Sequence, residues 1–180
     1  MQDFTDQAAK NGVELLNIGV CQFCGADYDR GIFECIENYN NQLAYFDFND
    51  SENHLYRFLS VDAHALQHPE IHGRWSNHFH LTRLHLILEK KQAWDYNKSP
   101  QLSDYLNRYK SNNPNEFLKA PEPLQRGKIT ARDLIRATTA EECAQLIIKW
   151  ADEVYHSWSS SHAIISQIAD GFLDKHQNVL

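Results

Sequence analysis

The sequence predicts a mainly α, single-domain helical bundle with an N-terminal Cys-x-x-Cys metal knuckle. Three observations lead there. The Val/Ile/Thr alternation typical of strands is missing, and apolar residues recur mostly at threes and fours. The 180 residues are of single-domain size and long enough to bury a substantial core. Three of the four cysteines fall in "GVCQFCGADYDRGIFEC", Gly19 to Cys35, two of them as Cys21-x-x-Cys24 followed at once by Gly25. Within one domain spanning 1–180, the expected parts are an N-terminal segment with the knuckle (1–27), an irregular, proline-containing insertion (93–128) and a long C-terminal helix (139–175).

The elements follow in order. Thr5 caps a short helix reaching about Leu16. After the knuckle, Asp29 caps a helix in which Ile32, Phe33, Ile36, Tyr39 and Leu43 share one face. "FNDSEN" breaks it, and a third helix runs from about His54 to Gln67, ended by Pro69 because the residue before proline is pushed out of the helical region. The fourth, about Trp75 to Lys91, is apolar on more than one side and so expected to be central. Ala93 to about Arg126 is polar, with Ser99-Pro100 opening a short helix over "QLSDYLNRY" and "LKAPEPLQRGK" as an extended linker. "ITARDLI" reads as one helical turn or a short strand. Thr139 with Glu142 three residues on is a capping box. It opens a helix striped by Cys143, Ile147, Trp150, Val154, Trp158, Ile165, Ile168 and Phe172, which "SWSSSH" bends or splits.

Composition narrows the function classes. A formal net charge of −7 with scattered Lys and Arg argues against a nucleic-acid partner. No apolar run approaches the length needed to span a bilayer, and the start lacks a signal-peptide pattern, so a cytoplasmic setting is expected, where stable disulfides are unusual. Partners are unspecified, and a homo-oligomer stays open. Nothing matches a serine or cysteine hydrolase motif, a P-loop or a dinucleotide fingerprint.

Cys-x-x-Cys-Gly suits zinc for a geometric reason. Two thiolates converge on one ion at about 2.3 Å only across a tight turn, and a glycine after the second cysteine permits an unusual backbone angle that lets amides point at the sulfurs. Zinc takes four ligands; Cys35 is a candidate, and the histidines supply the rest. A redox pair would normally follow a strand and open a helix in an α/β fold, a pattern absent here. Free thiols buried as small hydrophobes are the other alternative, and packing suits Cys143, on the apolar stripe of the last helix.

Seven of the ten histidines lie between His54 and His85. His64 and His68 are one helical turn apart, as helical metal ligands are, although His68 also stands where an imidazolium would favour the helix dipole. His78 and His85 lie seven apart with His80 off their line, and at most one or two of the three are ligands. His162 is either hydrogen-bonded in the core or aimed at an ion, and Asp62 either orients a ligating imidazole or is exposed.

Taken together, "CQFCGA", Cys35, "VDAHALQHP", "HLTRLHLILE", "RGKITARDL" and "WADEVYHSWSSSH" resemble, in order and approximate spacing, a bacterial family catalogued as a domain of unknown function, DUF5946. The resemblance runs from Cys21 to about His162 and singles out Cys21, Cys24, Cys35, Asp62, Gln67, His68, His80, Trp150, Trp158 and His162. It sets aside His54, His64, His72, His78 and His85. Phe23 replaces the family's knuckle proline, and Ser161 stands where a terminal pair of histidines has its first. No activity comes with it.

Two functions are in view. In the first, Cys21, Cys24, Cys35 and His68 close a tetrahedral shell around a structural zinc ion. In the second, a metal-dependent enzyme of hydrolase or transferase type, His68, His80 and His162 hold an ion with an open position, as in DinB-like bundles, and Asp62 orients a ligand or takes a proton from bound water. Three thiolates with one imidazole favour the first.

Overall fold

Glycine, proline and serine turns cut the chain into seven helices among residues 4–113, 116 and 118–177, the part that the computed structural model describes. The molecule is mostly helical, and pairing between extended segments is limited, among the described residues, to an isolated bridge between Gly19 and Arg30.

Helix α1 (Phe4–Lys10) stops six residues before the expected Leu16. Gly12, at φ +70°, ends it: the Gly12 amide donates to Ala9 O (3.0 Å) and the Val13 amide to Ala8 O (2.9 Å). That is the hydrogen-bond pair of a glycine-terminated helix end. Helix α2 (Gly31–Gln42) has Arg30, not Asp29, at its N-cap, and the Glu34 carboxylate accepts from the amides of Asp29 (3.0 Å) and Arg30 (3.1 Å). At Gly31, φ +53°, a Cβ would lie 2.5 Å from the Leu16 carbonyl, so only glycine fits where the loop crosses the start of α2.

Helix α3 (His54–Gln67) follows the expected span. Helix α4 (Arg74–Leu88) starts near the expected Trp75 and ends three residues before Lys91, which itself turns the chain at φ +53°. The stretch read as an irregular insertion contains helix α5 (Lys98–Asn112), with Asn97 at its N-cap and Pro100 inside its first turn. Ser99 is not the cap; its Oγ accepts from Trp94 Nε1 (3.1 Å) and Arg83 (3.2 Å). "ITARDLI" resolves into a 3-10 turn over Asp133–Arg136.

The long C-terminal helix is two: α6 (Ala140–Ser157) and α7 (His162–Gln177), separated by a 3-10 turn at Ser159–Ser161. Ser157 Oγ donates back to Val154 O (2.6 Å), the competition for backbone acceptors that serines bring to a helix. Thr139 caps α6 through the Glu142 amide (3.2 Å), and Glu142 reaches back to Thr138.

Helix α3 packs against α6 and α4, and α4 also meets α5, α6 and α7, which makes it central. Trp150, Trp158, Leu81, Leu84, Ile165 and Phe172 fill the large core between them. A smaller core sits at the N-terminal end, where Ala8, Phe23, Tyr28, Ile32 and Ile71 surround Cys21, Cys24 and Cys35.

His78 on α4 is fully buried, stacks on Trp75 (ring centroids 4.7 Å) and has no hydrogen-bond partner on either ring nitrogen among the described residues. Burial, with Arg74 adding, pushes its pKa down to about 4 from the ordinary 6.5. The unfolded chain therefore takes up this proton first as pH falls, so the contribution of His78 to stability is full above pH 6.5 and declines toward pH 4. That decline is worth roughly 3 kcal/mol. Urea titrations across this range should show a shallower acid loss in His78→Leu; an unchanged slope would remove His78 as its source.

Candidate metal centre

The knuckle is a closed turn. The Gly25 amide donates to Cys21 O (2.8 Å) and the Cys21 amide to Ala26 O (2.8 Å). Gly25 has φ +75°, as the glycine after Cys24 leads one to expect, but its amide goes to a carbonyl and not to sulfur. A Cβ there would meet Leu124 at 2.3 Å, because the linker lies across the knuckle and the Leu124 amide donates to Phe23 O (3.3 Å). Cys35 enters from the second turn of α2 and His68 from the end of α3.

These four side chains meet. Cys21 Sγ and Cys35 Sγ each lie 3.5 Å from His68 Nε2, and Cys24 Sγ is 3.8 Å from Cys35 Sγ. All four donor atoms fall within 4.8 Å of one another, every residue is buried, and the group is able to hold a metal ion. The His68 Nδ1–H donates to the His64 carbonyl (2.6 Å), which turns the Nε2 lone pair toward the sulfurs. Phe23 covers the imidazole edge-on at 5.8 Å between ring centroids.

Protons compete with any cation here. Hydrogen bonds from the Cys24 and Cys35 thiols, helped by His68, hold the Cys21 thiol well below its usual range against burial. The same sulfur contacts and burial push the Cys35 thiol up. Burial works against a charge on His68, but the sulfurs around it prevail and raise it to about 10. Without a cation, the cluster balances a thiolate against an imidazolium; a bound divalent cation displaces those protons.

The catalytic candidates are only partly brought together. Asp62, fully buried, accepts from His80 Nδ1 (2.7 Å) and takes a two-pronged hydrogen bond from Arg83, Nε to Oδ2 (2.8 Å) and a terminal nitrogen to Oδ1 (2.6 Å). His162 is elsewhere: its Nε2 donates to Tyr155 O (2.9 Å) and its ring stacks on Tyr155 at 4.1 Å. The open site expected from His68, His80 and His162 is therefore not assembled among the described residues. One imidazole faces sulfur, one a carboxylate and one a backbone carbonyl.

Other singled-out residues hold the fold. The Gln67 side-chain amide donates to Arg126 O (2.9 Å) and Ile129 O (2.8 Å) and accepts from Trp150 Nε1 (2.9 Å), tying the linker to the bundle. Trp158 Nε1 donates to Leu66 O (3.2 Å). Cys143 is buried in the large core, apart from the cluster, as packing requires. Sequence reasoning missed two arginines. Arg83 carried a signal in its place one turn beyond His80; Arg126, which grips Glu70 and the Pro121 carbonyl, stood only inside the quoted "RGKITARDL".

Among the described residues, no helix is long and apolar enough to cross a membrane. The model of a family described as "Family of unknown function (DUF5946)" matches residues 19–159. That match spans the knuckle, all four clustered residues and the Asp62–Arg83 pair. No curated protein and no solved structure gives a significant match.

Proposed function

Because the chain belongs to the DUF5946 family of unknown function, whose description supplies no activity, we propose from the site alone that Cys21, Cys24, Cys35 and His68 bind a zinc ion with a structural role. One observation carries this reading. A tetrahedron with sulfur at about 2.3 Å and nitrogen at about 2.0–2.1 Å from zinc has S···S edges of about 3.8 Å and S···N edges of about 3.5–3.6 Å. The Cys24–Cys35 sulfur separation is 3.8 Å, the Cys21 and Cys35 sulfurs each lie 3.5 Å from His68 Nε2, and the other edges stay within 4.8 Å.

The donor set adds to it. Thiolates select zinc over harder cations, and a closed four-residue shell leaves no position for substrate. Cys21, Cys35 and His68 are wholly buried and Cys24 nearly so, which suits a role in holding the fold. The ion fastens the small N-terminal core to the end of α3. A reducing, cytoplasmic setting goes with this, since the thiols must stay free of disulfides.

Metal analysis of the purified protein is the test. A single zinc ion per chain is expected, and its removal by a chelator should lower the melting temperature, with recovery on adding zinc back. A protein purified without metal, melting at the same temperature with and without added zinc, would defeat the proposal.

A further inference from the structure

Beside the cysteine cluster, α1, α2, α3 and the start of α4 enclose a cavity of about 600 Å³, within the size range of small-molecule sites. Its walls are apolar at Ile36 and Val61 and polar at Arg57, His64, His72 and His80, and the cluster's His68 also borders it; burial holds His64 and His72 neutral, so Arg57 is the fixed charge. Among the described residues no carboxylate lines it, although the chain has 24 Asp and Glu against 17 Lys and Arg.

Three groups in this wall keep a donor or acceptor for a ligand. The half-buried Arg57 guanidinium rests 5.0 Å over the Phe48 ring and forms no ion pair among the described residues. His80 spends its Nδ1–H on Asp62, itself fixed by Arg83, which in the neutral tautomer puts the lone pair on Nε2. No hydrogen bond engages that nitrogen among the described residues, and the ring lines the cavity, with His72 5.8 Å away between centroids. The buried His64 Nε2, on the same wall, is unpartnered too.

We propose that this cavity binds a small organic anion, with Arg57 meeting its negative group and the His80 Nε2 lone pair accepting a hydrogen bond from a hydroxyl of the same molecule. The apolar walls take the body of the ligand. Asp62 and Arg83 are positioning residues: they hold the His80 tautomer that faces the cavity with an acceptor. Neither Arg57 nor His80 belongs to the cysteine cluster, so metal content measured alongside keeps this inference separate from the zinc reading.

The test uses long-range proton–nitrogen NMR of the histidine rings in the full chain as purified. In the free protein His80 should report an unprotonated Nε2. Titration with para-hydroxybenzoate should shift the His80 and His72 signals saturably, and the neutral isostere para-hydroxybenzamide should bind about tenfold or more weakly, the loss of one charge-assisted contact. Arg57→Gln should weaken the anion by a similar factor, whereas Arg136→Gln, at a side chain 81% exposed, should not. A protonated Nε2, equal binding of acid and amide, or no saturable shift at millimolar concentrations would each overturn the proposal. The acid–amide comparison needs no variant, so a folding defect in Arg57→Gln leaves the test standing.

Discussion

With zinc bound at the cluster as proposed, Cys24→Ser should release it and lower stability by about 4–5 kcal/mol or more, the scale reached when a structural metal is lost. The two effects should move together, because binding energy at a structural site is folding energy. The damage should also be uneven. The small core around Ala8, Phe23, Tyr28, Ile32 and Ile71 depends on the cluster for its tie to α3, whereas the large core has its own tryptophans and leucines. Hydrogen exchange should therefore quicken first at the Cys21 and Gly25 amides, which close the knuckle, and leave the middle of α6 protected. Full zinc occupancy in the double variant Cys21→Ser/Cys24→Ser would rule out the knuckle as the ligand.

Asp62→Ala should destabilise by about 3–5 kcal/mol, since it strands a buried guanidinium. Arg83 is 5% exposed, lies 4.9 Å from the centroids of both Phe58 and Phe79, and has Asp62 as its carboxylate partner. With the carboxylate gone, only Ser99 Oγ and the two ring faces remain to it among the described residues. The double variant Asp62→Leu/Arg83→Met should recover much of the loss, because no charge is then left alone in the interior. Zinc content should stay unchanged in both, as neither residue touches the sulfurs. Chemical denaturation with metal analysis on the same samples decides it: zinc lost from a still-folded Asp62→Ala would mean that the carboxylate supports the metal after all.

Much of the helical framework was legible because burial on a helix leaves a local trace. Leu66, Ile147 and Trp150 sit inward at spacings of threes and fours, and Thr139 with Glu142 marks the start of α6. Helix α5 was read too short, over "QLSDYLNRY" alone, for the opposite reason: only Leu102 and Leu106 are buried along its fifteen residues, so polar composition hid its full period. Helix α1 was overextended because the Asn11-Gly12 stop was passed over, and Gly12 takes the left-handed backbone that ends it.

By itself the sequence determined most of the helical segments, that a glycine-closed turn brings Cys21 near Cys24, and that Cys35 lies in the first turns of the next helix. These are short-range facts, set by backbone geometry within a few residues. Only the tertiary structure decided which imidazole joins the sulfurs, that His80 faces Asp62 and Arg83, and that His162 turns to a backbone carbonyl. The reason is physical. A helical period fixes the face a side chain shares with its neighbours, while the partner across that face depends on how α2, α3 and α4 pack, and segments 33 and 47 residues apart in the chain must first be brought together before Cys35 and Cys21 can meet His68.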